Sequence, residues 1–140
     1  MLDRITKIFV LSLGEEIKLL PFFEIVLVKN KGIVFGLFSD ININKFAFIV
    51  ISSISVILIT FIFYKLANGT LLSILSVIIG GAIGNIIDRI LYGYVVDFIK
   101  IGFFYVFNVA DASITIGCIL LIIYIVFYGR KSENIQSFLS

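Results

Sequence analysis

Three stretches without a single charged residue, Phe46 to Tyr64, Leu66 to Ile87 and Ala112 to Gly129, dominate what this chain can fold into. The hydrocarbon core of a bilayer is about 30 Å thick and takes roughly 20 apolar residues per helical crossing, so each stretch is long enough to span it. Composition points the same way, because 61% of the 140 residues are hydrophobic and 14% charged, far from the balance of an ordinary soluble domain. The predicted fold is a mainly α membrane protein, an antiparallel transmembrane helical bundle formed by residues 1–140 as one domain.

The N-terminal segment differs. Asp3, Arg4 and Lys7 precede a short apolar run, Ile8 to Leu13, closed by Gly14-Glu15-Glu16. That run is too short to cross alone and no small-residue cleavage site follows it, so it reads as a partial first helix over about 2–13 rather than a removable signal. Pro21 to Phe38, rich in Phe, Val and Ile and broken by the turn signal Asn30-Lys31-Gly32, reads as short strands forming an extramembrane hairpin. Lys65 to Thr70 is a tight loop, which makes the spans on either side antiparallel neighbours. Ile90 to Phe107, with Gly93, Gly102, Tyr92, Tyr94 and Tyr105, reads as an interfacial segment on the same side as the hairpin.

Several functions are excluded early. The net charge of +2 is small and the basic residues are scattered, which leaves neither a nucleic-acid footprint nor a polybasic tail. Without histidine there is no Ser-His-Asp or Cys-His triad, no HExxH helix and no histidine metal site. Cys118, the sole cysteine, lies within an apolar span and reads as a core or lipid-facing residue. Lysines and arginines do not settle orientation: Lys18, Lys29, Lys31, Lys45, Arg89 and Lys100 stand on the hairpin side, against Lys65, Arg130 and Lys131.

Chemistry must then rest on carboxylates, lysine or hydroxyls. An ionisable group in a membrane helix costs about 2.5–3.5 kcal/mol on insertion scales, so Asp88, Asp97 and Asp111 each need a reason. Asp88 lies beside Arg89 at the predicted end of a span, and a structural ion pair is the reading there. Asp97 and Asp111 have no adjacent base, and the connection from Phe98 to Ala110 is long enough to bring them face to face. Two close carboxylates of low solvation cannot both ionise easily, so one holds a proton while the other can activate water. From spacing alone, solvated or helix-capping aspartates fit equally well. Asn30, Asn85 and Asn108 are candidates to orient such a pair.

The segment GGAIGNIIDRILYGYVVDF, Gly80 to Phe98, followed by FNVADASI, Phe107 to Ile114, resembles the signature blocks of the signal peptidase II family, the lipoprotein signal peptidases of bacteria. The pattern GN-x-x-DR then G-x-V-x-DF is met by Gly84, Asn85, Asp88, Arg89, Gly93, Val95, Asp97 and Phe98. FNxAD is met by Phe107, Asn108, Ala110 and Asp111. Asn30, Gly32 and Phe35 look like a further N-x-G-x-A-F block with Val34 in place of Ala, and Asp3, Thr6 and Lys7 look like D-Q-x-T-K with Arg4 in place of Gln.

The resemblance implies a four-span fold with a shortened first helix and a β cradle. It also implies an aspartic endopeptidase acting on diacylglyceryl-modified prolipoproteins at the outer face of the bacterial cytoplasmic membrane. Asp97 and Asp111 would be catalytic, with Asn30, Gly32, Asn85, Asp88, Arg89 and Asn108 shaping the site. Implied partners are the precursor and membrane lipid, with the chain acting as a monomer and needing no cofactor. Two rivals stay open: a small proton- or ion-coupled transporter, whose polar residues should trace a path through the helices, and an inactive truncated relative.

Overall fold

The computed structural model describes residues 2–14, 17–31, 45–64 and 69–128. The elements are α1 (Leu2–Leu13), β1 (Ile17–Leu20), β2 (Phe23–Asn30), α2 (Lys45–Tyr64), α3 (Gly69–Tyr92), β3 (Val95–Ile101) and α4 (Val109–Tyr128). Helices fall on the uncharged stretches because a backbone in lipid must satisfy its own hydrogen bonds. Among the described residues, α3 and α4 are long and apolar enough to cross a membrane, and α2 carries a shorter apolar run, Val50–Phe61. Cys118 is exposed on α4 among Ile116, Ile119 and Ile122, an apolar surface.

Helix α3 carries the architecture. Its buried residues, Leu71, Ile74, Leu75, Ile78, Gly81, Asn85 and Asp88, recur at helical spacing on one stripe. That stripe begins apolar and turns polar. At 1.5 Å per residue, Asp88 lies about 28 Å along the helix, close to the thickness of the hydrocarbon core. The polar residues of the stripe therefore gather at one end of the helix, about one core thickness from its start.

Helix α3 also runs further than the uncharged stretch predicts, because Asp88 and Arg89 continue it rather than end it. The stop is Gly93, whose φ of 79° suits glycine and whose N–H bonds Arg89 O at 3.0 Å. Asp88 is tolerated inside the helix because α1 brings cations to it. Asp88 is ion-paired across to α1, with Arg4 Nη1 at 2.9 Å and Lys7 Nζ at 2.8 Å.

The described part of the β element holds a hairpin that lies before the turn signal at Asn30-Lys31-Gly32. Its turn falls at Pro21-Phe22, where proline's missing N–H interrupts the ladder, and β2 then runs to Asn30. Gly32 and the rest of the predicted element up to Phe38 lie outside the described residues. The Ile90 to Phe107 segment contains β3, which joins the sheet in antiparallel order β1-β2-β3. Val95, Val96, Asp97 and Phe98 are all buried, so this strand has no alternation to betray it.

Two helices meet closely where the site begins. A Cβ at Gly81 would lie 2.6 Å from Ala110 O and 2.9 Å from Ile114 Cγ1, whereas one at Gly80 meets nothing within 4 Å. Gly81→Ala is therefore expected to destabilise the protein by about 1–3 kcal/mol through overpacking. Gly80→Ala should leave it unchanged or slightly firmer. Thermal unfolding of both variants in detergent checks this, and equal melting temperatures would contradict the packing described.

Candidate active site

The site lies where α3 ends, β3 crosses and α4 begins. Asn108 precedes α4, and its Oδ1 accepts the N–H of Asp111 at 2.9 Å, the bond an N-cap makes. Asp111 answers, its Oδ2 accepting the N–H of Asn108 at 3.3 Å, which closes a reciprocal capping box. The other oxygen, Oδ1, accepts from Asn85 Nδ2 at 2.8 Å. Asp111 thus caps its helix and faces α3 at once.

Asp97 lies on β3 with 1% of its surface exposed. Its Oδ1 accepts from Asn108 Nδ2 at 2.6 Å and its Oδ2 from Asn30 Nδ2 at 2.8 Å. Asn108 therefore touches both aspartates and draws Asn85 into the same cluster, since its Nδ2 also reaches Asn85 Oδ1 at 3.2 Å. Asn30 comes to Asp97 through strand register. Asn30 pairs with Val95 and Val28 with Asp97, a diagonal relation on one face of the sheet. The register slips between Ile25 and Val28, and that bulge switches the parity of β2. With Ile25 fixed opposite Ile99, an unslipped strand would present Lys29 on that face in place of Asn30.

Behind the amides lies a buried ion network. Lys7, with none of its surface exposed, reaches Asp3 at 2.9 Å, Asp88 at 2.8 Å and Asn85 Oδ1 at 3.0 Å. Asp3 Oδ1 accepts the N–H of Ala110 at 2.9 Å, and Asp88 Oδ2 accepts that of Val96 at 3.0 Å. These two bonds grip the residues immediately preceding Asp111 and Asp97. Arg4 adds Tyr92 Oη at 2.8 Å. Arg89 is half-buried within electrostatic reach of Asp111, Asp97 and Asp88, with its Nη1 3.4 Å from Asn85 O.

Of the residues singled out from sequence, Asp97, Asp111, Asn30, Asn85 and Asn108 form one hydrogen-bonded cluster. Asp88 stands one step behind it through Lys7, and Gly32 lies outside the described residues. Asp3 and Lys7 carry more of the site than their place in a motif block suggested. Their signal was an i,i+4 acid–base pair at the head of a short, mostly apolar helix, which demands partners elsewhere.

Desolvation pushes the Asp97 carboxyl up to about 6 from its ordinary 3.8. The hydrogen bond from Asn30 pulls it back, the Asp111 charge raises it, and Asn108 and Lys7 lower it again. A carboxyl poised near neutrality and coupled to a second one can hold or release a proton during hydrolysis.

The chain is similar to known proteins over most of its length. The family described as Signal peptidase (SPase) II matches residues 1–127. The lipoprotein signal peptidase of Clostridium tetani (strain Massachusetts / E88) is 42% identical, covering 90% of this chain and 86% of its own. That of Pelagibacter ubique (strain HTCC1062) is 41% identical, covering 94% and 85%. A bacterial membrane enzyme solved by the in meso method at 2.3 Å resolution is similar with a TM-score of 0.80 at 35% identity, covering 94% of this chain and 85% of that one.

Asn30→Ala removes a donor that favours ionised Asp97, so the Asp97 pKa is expected to rise above about 6. The folded value already exceeds the unfolded one. Stability owed to this proton is therefore full below about 4 and is lost as pH rises through about 6, and Asn30→Ala should move that loss upward. Infrared titration of the Asp97 carboxyl band checks the direction. A downward shift would refute the assigned role of Asn30.

Proposed function

The chain belongs to the signal peptidase II family, bacterial membrane proteases that remove signal peptides from lipoprotein precursors, and we propose that Asp97 and Asp111 are its catalytic pair. The observation that carries this reading is the bridge through Asn108, which hydrogen-bonds both aspartates at the point where α3, β3 and α4 converge. In the proposed mechanism the pair shares one proton. The ionised carboxylate takes a proton from water as its oxygen attacks the scissile carbonyl, and the protonated one donates to the carbonyl oxygen. Collapse of the tetrahedral intermediate then returns a proton to the leaving nitrogen.

Asn85 and Asn108 orient the pair, Asn30 trims the basicity of Asp97, and Asp88 and Arg89 are supporting charges. We take the substrate to be a diacylglyceryl-modified prolipoprotein, because a lipid-anchored cysteine holds the scissile bond at the depth of the membrane edge, where the polar end of α3 lies. The chain would act as a single four-span unit with the site toward the outer face. A transporter is disfavoured by the polar stripe of α3, which gathers at one end of the helix instead of tracing a path through it.

Asp97→Asn and Asp111→Asn are each expected to lower cleavage of a purified diacylated prolipoprotein by at least about 10²–10⁴-fold, the share of general acid–base catalysis, while the protein stays folded in the membrane. Full turnover by either variant would defeat the assignment. Asp88→Asn should act first on stability, by about 3–5 kcal/mol, because it breaks a buried pair. Its loss of turnover per folded molecule should be the smaller effect. Finding Asp88→Asn fully stable yet inactive would move Asp88 from a supporting charge into the reacting pair.

A further inference from the structure

We propose that the turn Gly102 to Tyr105, with Phe22 beside it, is an aromatic anchor that inserts into the headgroup region of the bilayer and pins the far end of the sheet there. Phe103 is 108% exposed, Phe104 75% and Tyr105 62%, and Phe22 on the neighbouring turn is 61% exposed. Nothing in the proton chemistry of the aspartates uses these side chains.

The turn is a built feature. Gly102 N–H bonds Phe22 O at 2.8 Å, fastening the two turns together, and Phe104 N–H bonds Ile101 O at 3.0 Å. Ile99 and Phe107 exchange backbone hydrogen bonds of 2.8 and 3.0 Å, closing the base of the loop. The backbone is thus held in a shape that turns three consecutive aromatics outward. The segment is also tethered at both ends, leaving α3 at Tyr92 and re-entering α4 at Val109. A seven-residue strand reaches about 23 Å, so the tip stays within one strand length of the lipid surface those helices define. Lipid is therefore the occupant nearest to hand, and aromatic rings are the side chains that favour its polar boundary.

Because the chain has no tryptophan, Phe103→Trp and Phe104→Trp each create a single fluorescent reporter. In phosphatidylcholine vesicles, both should show blue-shifted emission and lose most of it to lipids brominated near the headgroup end of the acyl chain. Ile122→Trp, on the exposed face of α4, serves as the control for reconstitution. Emission of a hydrated indole, unquenched at 103 and 104 while 122 is quenched, overturns the proposal. So does blue-shifted emission that no brominated lipid quenches, which would mean that protein, from this chain or a second copy, covers the tip. No turnover is involved, so this result is independent of the catalytic assignment of Asp97.

Discussion

Everything at the polar end of the bundle depends on Lys7. An ammonium with no exposed surface is sustained only if its charge is neutralised nearby, and here Asp3 and Asp88 do so from two helices. Its third contact, to Asn85 Oδ1, determines which way that amide points. With its oxygen engaged by Lys7, Asn85 must offer its Nδ2 to Asp111. One buried cation therefore holds α1 to α3 and sets the donor that a carboxylate on α4 receives.

Asn30, Asn85 and Asn108 donate side-chain hydrogen bonds to the two central aspartates, and Lys7 stands behind Asn85. An amide donor fixes the geometry of a carboxylate and favours its ionised form. Burial raises Asp97 toward neutrality, and the hydrogen bond from Asn30, then that from Asn108 and the charge of Lys7, hold it back.

Much of this was legible in one dimension. Absence of charge over a bilayer's thickness is a property of sequence alone, and α2, α3 and α4 fall on those stretches. The residues of the cluster announced themselves because Asp97, Asp111, Asn85 and Asn108 lie in dense motif blocks with no adjacent base. What escaped is what depends on partners far along the chain. Helix α3 outruns its uncharged stretch because Arg4, 84 positions away, meets Asp88. Strand β3 is buried on both faces, which erases the period of two that marks a half-exposed strand. The position of Asn30 depends on a bulge, and a slip in register is invisible until the opposing strand is known.

The capping box at α4 ties helix folding to the assembly of the aspartate cluster. Asp111 and Asn108 terminate the helix by the same side chains through which they join the aspartate cluster. If that first turn frays, one carboxylate and its bridge to the other depart in a single motion. The aspartate cluster accordingly exists only while the last helix is wound to its tip, and a half-assembled bundle carries no such cluster into the membrane.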